Sequence, residues 1–521
     1  MPFDLIKKFW EDKKMKKFTV LSLAVVMVLV LLAGCGGTKK TQSSDSAQTP
    51  QATKIPQATQ VQKKEVTILT NYNGAVDELK DGKTVDSNQL IDYHRSKSGI
   101  QVKYEILPKD NPMQKIAVLL ASGDIPDLIN FGAVFKEDFY KLVAQGAFEP
   151  LDELIAKYAP EYKKLVPSET IDAARYNKQL YAFPTVNLIK TNNGIYVRTD
   201  ILKELNLKEP STLDEYYNVF KTIKEKKGII PFAASAASPG DFDNSLAPFA
   251  GAFGVGNNTV VKNGKLEFSW LQPEYKEYIA FLKKLYDEGL MDKEFAVNKS
   301  GNITEKMVGG KAFMGTIAWW DAKGISENLT KKDPNSKADY IGLPVGKDGK
   351  TGIMQNPPLS VYYAIPKNAK NKQAAVEYMN YMSTQDALMA QTYGVKGIDY
   401  KLENEKVVQT PEQVKAINWK VIYQLTDKPE FFQIKLEAKG FNPYYKPLLK
   451  NVILKEETMY APPVEAYDKK FVELKNFKNE NAIKFIMGNR SLDEFSKFVE
   501  EFNTRGGKAA IDAMNEWFTK K

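Results

Sequence analysis

One cysteine, Cys35, and one histidine, His94, are all that 521 residues contain of those two types. No disulfide can close within such a chain. A histidine-rich zinc site and a Cys–His dyad are excluded, and a Ser–His–acid triad would have to be built on His94 itself. His94 stands in a charged stretch that reads as a solvated surface helix. HExxH, GxSxG, a Walker A loop and a dinucleotide-binding fingerprint are missing as well, so the chain carries none of these catalytic or nucleotide-binding signatures. The segment Asp241-Phe-Asp-Asn244 lacks the acidic and glycine spacing of an EF-hand loop and reads as polar turn residues. Neither metal nor cofactor is expected.

Charge of one sign is weak too. The formal charge is +9, but residues 1–34 hold six lysines against Asp4, Glu11 and Asp12, a net of +3, which leaves about +6 for the rest. Lysine and arginine are nowhere interleaved with aromatics as in a groove that tracks a nucleic-acid backbone, and no nucleic-acid partner is expected. Aromatic surface, by contrast, is plentiful: 6 Trp, 26 Tyr and 27 Phe in an ordinary background of 43% apolar and 26% charged residues. Most of these rings should be core, and the remainder suit a carbohydrate cleft. At this length a single hydrophobic core would be oversized, so two lobes are expected.

Lys7, Lys8, Lys13, Lys14, Lys16 and Lys17 precede an apolar run from Phe18 to Ala33 that ends in Leu32-Ala33-Gly34-Cys35. A positive start, an apolar segment shorter than the roughly 20 residues of a spanning helix, and small residues at its end mark an export signal. A start at Met15 would leave all three features in place. The four-residue ending resembles the bacterial lipobox. The expectation is a lipoprotein signal peptide over 1–34, cleavage before Cys35 and a diacylglyceryl group on its thiol. Residues 35–65, rich in Thr, Gln, Ser and Lys and without an aromatic ring, cannot bury enough apolar area to offset the entropy of ordering them, and read as a flexible tether.

The body opens with an apolar strand, Val66–Thr70, which runs into the polar loop Asn71-Tyr72-Asn73-Gly74. A helix near Asn88–Ser98, an alternating strand Ile100–Ile106, a helix from Pro112 closing at Gly123 and a buried strand ending at Phe131 follow. This succession predicts an α/β fold with a mostly parallel sheet. Further on, Ser211 or Thr212 can cap a helix over Leu213–Lys226. Helices are expected at Pro273–Glu288 and Ile303–Val308, a short strand at Lys311–Met314, another at Leu359–Ile365, and a helix at Lys372–Met382. Amphipathic helix dominates the C-terminal third, notably Leu492–Asn503 and Lys508–Phe518.

Ligands of such sheets collect at the carboxyl ends of the strands, which places Tyr72, Asn73 and Phe131 near one rim, although a core role suits Phe131 equally. Asp241, Asp243 and Asp321 read as loop residues beside aromatics, suited to accepting sugar hydroxyls or, in a glycoside hydrolase, to forming a carboxylate pair. Trp319-Trp320 is the strongest local feature. On an extended segment adjacent indoles point opposite ways, so one should face a ligand while the other packs inward. Trp270 and the pair Tyr362-Tyr363 are further candidates.

Several stretches, in this order behind a lipobox, resemble a known family. Ala121-Ser-Gly-Asp-Ile-Pro-Asp-Leu128, Tyr196-Val-Arg-Thr-Asp200 followed by Leu205, Leu207, Pro210 and Thr212, Leu285-Tyr-Asp-Glu-Gly-Leu290, Gly310-Lys-Ala-Phe-Met314 and Tyr393-Gly-Val-Lys-Gly-Ile-Asp-Tyr400 are similar to stretches of the extracellular solute-binding proteins of the ABC sugar-uptake class, in the long lipoprotein branch of Bacillus and Paenibacillus type. The last departs from the usual YG segment in having Val-Lys for Ile-Glu. The resemblance implies a two-lobed periplasmic-binding-protein-like fold with an interlobe ligand cleft. Lobe one would span 66–186 and 344–390, and lobe two 187–343 and 391–521. It also implies a monomer held on the outer face of a Gram-positive cell membrane by lipid on Cys35. Such a protein captures a carbohydrate, here expected to be an oligosaccharide, without transforming it. Its partners are membrane permease subunits with a separate ATPase. A surface glycoside hydrolase or lyase, or a peptide-binding lipoprotein, is the alternative.

Overall fold

The computed structural model describes residues 64–132, 135–404 and 406–520; Cys35, the signal peptide and the tether lie outside them. Nine strands form the two main sheets: β1 (Lys64–Thr70), β2 (Ile100–Ile106), β3 (Leu128–Gly132), β4 (Ala182–Val186), β5 (Asn193–Val197), β6 (Ile230–Ala233), β7 (Ala312–Ala318), β8 (Asp339–Tyr340) and β9 (Leu359–Ala364). The first sheet runs β2-β1-β3-β9-β4 and the second β8-β5-β7-β6. β1 pairs in parallel with β2 from Lys64↔Ile100 to Thr70↔Ile106, and also with β3. β9 lies antiparallel between β3 and β4. In the second sheet β7 is antiparallel to β5 and parallel to β6.

Local signals account for many elements. Asn88 caps the helix Gln89–Ser98 by accepting from the amides of Leu90 and Ile91, and the helix stops at Gly99 in the left-handed conformation, as expected for a glycine in that position. Of the two expected caps of Leu213–Lys227 it is Thr212 that acts, in a reciprocal capping box with Glu215. The expected helix over 492–503 is instead a 3-10 turn, Leu492–Glu494, followed by the helix Phe495–Phe502. A π turn at Asn503–Gly507 then leads into Lys508–Phe518. Ahead of them runs the longest described helix, Glu465–Met487.

Each sheet has its own core. The first gathers side chains from Val66 to Phe183 and from Leu359 to Leu425, so the stretch 395–425, expected in the second lobe, packs with the first. The second gathers Ile195 to Leu343, Ile353 and Ala461 to Met514. Between them pass the crossing segments 187–192 and 354–358, which run side by side. Asn187 N donates to Pro358 O at 3.0 Å and Asn356 N to Lys190 O at 2.9 Å. The Asn356 side-chain amide adds bonds to Ile189 O at 3.0 Å and to Asn192 Oδ1 at 2.8 Å. Pro357 and Pro358 restrict the backbone beyond. A glycine is required where this strip meets the second core: a Cβ on Gly251 would fall 1.9 Å from the carbonyl oxygen of Gly352.

His94 is not the solvated surface residue its charged neighbourhood implies. Asp92, Arg95 and Lys97 occupy the outer faces of the helix, while Leu90, Ile91 and His94 face inward. The imidazole is fully buried, with Nδ1 3.0 Å from the Tyr381 hydroxyl and its ring edge-on to Tyr381. Burial lowers its pKa to about 3. Unfolded, the same ring titrates near 6.5. Between these values the unfolded chain takes up a proton that the folded one refuses, so stability falls as pH drops through that window. His94→Gln should therefore remove about 2.5 kcal/mol of the loss in unfolding free energy between about pH 7 and pH 4.5, as read by urea denaturation; an acid limb unchanged by the substitution would show that His94 does not govern it.

Candidate functional site

A cavity of about 130 Å³ opens where the crossing segments meet the helices of the second core. The helix Pro239–Ala250 supplies Phe242, Asp243 and Asn244; a 3-10 turn supplies Trp270; the helix Pro273–Asp287 supplies Tyr275 and Tyr278; Glu465–Met487 supplies Lys478; and the crossing segments supply Asn192, Gln355 and Asn356.

Asp241 and Asp243 thus lie on a helix, not in a loop. Ser238 at the N-cap and Pro239 at the first helical position start it, a combination that outweighs the turn-like composition of the segment. Asp241 is consumed by this start: its carboxylate accepts from the Ser238 hydroxyl at 2.7 Å and from the Ser300 amide at 3.1 Å. Asp243 reaches two ammonium groups instead, Lys478 at 2.7 Å and Lys475 at 2.8 Å. Burial alone would push the Asp243 carboxyl up; the two lysines more than reverse this and hold it below its ordinary value. Burial lowers the pKa of Lys478 in turn. Its ammonium sits 5.1 Å from the Phe242 ring centre and 5.4 Å from that of Trp270, a cation–π arrangement.

Three buried polar atoms around this cavity have no hydrogen-bond partner in the protein: Trp270 Nε1, the Tyr275 hydroxyl and Asn257 Oδ1. Buried polar groups are nearly always paired, and these three belong to residues that line one cavity. Trp270 does not offer a stacking face on its inner side, where it lies flat on Phe268 at 4.9 Å.

Of the other sequence candidates, Phe131, Tyr362 and Tyr363 are interior, each exposed by no more than 2%. Phe131 packs on Phe139 and Phe148, Tyr362 stacks on Phe139, and the Tyr363 hydroxyl accepts from Asn130 at 3.1 Å. β9 lies inside its sheet, and two consecutive tyrosines are buried because both faces are covered. Tyr72 and Asn73 follow the carboxyl end of β1, half-buried. Asn73 caps the 3-10 turn Gly74–Glu78, and the Tyr72 hydroxyl donates to Asp77 at 2.5 Å.

Trp319 and Trp320 open the helix Trp319–Lys332 rather than lying on an extended segment, because β7 continues buried as far as Ala318. Successive helical residues still diverge in direction. Trp319, 8% exposed, packs with Leu436, Tyr445 and Leu448; Trp320, 43% exposed, meets it edge-on at 5.2 Å. Asp321 is exposed beside them. The Tyr72 loop and the Trp pair, distant in sequence, are linked through residues 418–441. Asn418 Nδ2 reaches both Glu78 carboxylate oxygens at 2.8 Å, Lys323 Nζ bonds the Lys439 carbonyl at 2.8 Å, and Phe441 packs against Trp319.

A family model, that of the bacterial extracellular solute-binding proteins, matches residues 76–389. The chain belongs to this family. It is similar to lipoprotein LipO of Bacillus subtilis (strain 168), 26% identical over 460 residues that cover 81% of this chain and 87% of that protein. It is also similar to the polygalacturonan/rhamnogalacturonan-binding protein YtcQ of the same organism, 25% identical over 426 residues covering 78% and 82%. Among solved structures, alginate-binding protein AlgQ2 without calcium aligns with a TM-score of 0.65 at 21% identity, over 88% of this chain and 98% of that one. An HMO-binding, ABC-transporter-associated solute-binding protein from Bifidobacterium longum infantis ATCC 15697 aligns with a TM-score of 0.67 at 17% identity, over 88% of this chain and 99% of that one. The fold is the two-lobed α/β architecture of solute-binding proteins, and the family is one of binding proteins, not enzymes.

Sequence reasoning missed most of what this solute-binding protein places around the cavity: Tyr275, Tyr278, Gln355, Asn356 and Lys478. Asn356-Pro-Pro358 carried a turn signal that could have marked the crossing; nothing in sequence distinguishes Lys478 from its solvated neighbours. Among the described residues no group of three or more His, Cys, Asp or Glu is placed to hold a metal ion. Lys478→Met should cost about 2–3 kcal/mol by leaving Asp243 with one ammonium, and Asp243→Asn in the same chain should restore about half of it. Urea unfolding of the two single variants and the double variant checks this; strictly additive losses would deny the coupling.

Proposed function

We propose that this chain is the lipid-anchored, extracellular component of an ABC importer, capturing a carbohydrate, specifically an oligosaccharide, and delivering it to a membrane permease driven by a separate ATPase. The observation that carries the reading is the cavity at the crossing segments, edged by three unpartnered polar groups and floored by aromatic rings. Sugars present the same combination of hydroxyls and apolar faces. YtcQ is a saccharide binder by name. Two cores joined by paired crossing segments also support rotation of one lobe against the other, the closure by which binding proteins enclose ligand. In a glycoside hydrolase Asp243 could not be the general acid, because a carboxyl kept ionised by two lysines does not donate a proton near neutrality.

The lobes are assigned from their cores, the first as 64–186 with 359–425 and the second as 193–343 with 461–520. In this reading the exposed ring of Trp320 supplies a stacking face, and Tyr72, Asn73 and Asp321 supply polar contacts. Attachment rests on Cys35 in its lipobox-like setting; among the described residues no helix is long and apolar enough to cross a membrane. Cys35→Ser should abolish the lipid-shifted mass of the N-terminal peptide, and an unchanged mass would remove the anchor from the proposal.

Calorimetry on the compact unit Gln62–Lys521 against mono- and oligosaccharides tests capture, with chromatography of the sugar in parallel. One saccharide should bind per monomer and come back unaltered. Trp320→Ala should weaken it about tenfold with an unchanged melting temperature. Consumption of the sugar would overturn the binder reading, and silence across the panel with a peptide bound instead would overturn the carbohydrate.

A further inference from the structure

We propose that the cargo is anionic, a saccharide bearing carboxylate groups as in a uronide, and that Lys420, backed by Lys439, receives its charge. The proposal rests on the reading of this chain as a saccharide binder and adds the class of saccharide.

Lys420 belongs to the 3-10 segment Asn418–Tyr423, which packs against the turn Gly74–Glu78 and the helix Gln385–Tyr393. The residue is only 9% exposed. An ammonium so deeply placed normally has a carboxylate against it. Among the described residues none lies within ion-pair distance of Lys420, whereas Lys435 beside it is matched by Asp427 at 2.9 Å. The charged groups that act on Lys420 are Lys439, Lys435 and Asp399, and each of the two lysines repels it more strongly than Asp399 attracts it. Burial first, and these lysines second, bring its pKa down to about 8, so it remains mostly charged at neutral pH.

The carboxylates nearby are engaged elsewhere. Asp399 accepts from Gln89 at 3.2 Å and from the Val395 amide at 2.7 Å, and Glu78 accepts twice from Asn418. Lys439, one helical turn beyond Lys435, is exposed and has only Glu78 as a favourable charge. What results is a buried cation whose strongest charged neighbours are cations, with an exposed cation next to it. Such a grouping is relieved by an anion brought from outside.

Its location says which kind. Lys439 is tied by its carbonyl to Lys323, three residues after the exposed ring of Trp320, and the 3-10 turn against Lys420 is the one capped by Asn73 beside Tyr72. Lys420 and Lys439 thus sit on segments joined to the elements that carry Trp320 and Tyr72, and a sugar ring with a carboxylate on its edge uses both a charge and an aromatic face, where a bare inorganic anion has nothing to lay on the ring.

The test is calorimetry of the full-length chain with an oligogalacturonate, its fully methyl-esterified counterpart and a neutral malto-oligosaccharide, with sodium acetate and phosphate as small-anion probes. The acid should bind at least about tenfold more tightly than its ester. Lys420→Met and Lys439→Ala should each bring the acid-to-ester ratio toward one; if Lys420→Met does not fold, the exposed Lys439 carries the test alone. Equal affinity for acid and ester, a ratio untouched by both substitutions, or acetate or phosphate binding as tightly as the oligogalacturonate would overturn the inference. Neutral sugars bound in place of the acid would overturn it while leaving the saccharide reading intact, whereas no saccharide bound at all would take that reading down with it.

Discussion

The joint between the two cores depends on Asn356. Its backbone amide and its side chain together hold segments 187–192 and 354–358 side by side, and two prolines follow directly. Strands tied in this way bend together more readily than they slide past one another, so the relative motion open to the lobes is of hinge type. The same strip forms one wall of the cavity through Gln355 and Asn356. Anything bound there touches the hinge itself.

Around that joint the protein divides its polar groups into those that are satisfied and those that are left open. Glu456, fully buried, accepts from the amides of Asn258 and Thr259 and from two threonine hydroxyls, and so pins the segment after residue 452 to the second core. Asp241 is similarly consumed at its helix start. By contrast Trp270, Tyr275 and Asn257 are left without protein partners within one small volume. Unpartnered buried atoms occur elsewhere as well, His94 Nε2, Tyr140 Oη and Trp319 Nε1 among them, but here three share the lining of one cavity, which is what the proposed capture of a polar solute draws on.

Elements with local causes were legible in the sequence: Asn88 and Gly99 bracket their helix, Thr212 with Glu215 begins another, and the alternation of Ile100–Ile106 emerges as a strand. Features decided by tertiary context were not. Tyr362 and Tyr363 look alike as surface or core residues until β9 is known to lie within its sheet. His94 has charged neighbours on both sides, yet only one face of its helix is wet. Asp241-Phe-Asp-Asn244 has the composition of a turn and becomes helix through the two residues before it. The divergence of Trp319 and Trp320 was expected for a strand and arises on a helix: one ring buried and one exposed is common to both geometries. Lys478 and Lys420 are ordinary lysines in sequence, and only three-dimensional burial sets them apart.

The two exposed or cavity-facing indoles differ in what they can measure. Trp320 presents a face, and a flat apolar face accepts any pyranose of suitable shape with little regard for the direction of its hydroxyls. Trp270 has one face spent on Phe268 and a buried N–H without a partner in the protein, and in the proposed capture such an edge would read orientation. There, a guest epimeric at the contacting carbon would leave that N–H buried and unanswered, a heavier loss than a weakened stack. Under the proposed capture, one tryptophan would sort sugars from other solutes, and the other would sort sugars from each other.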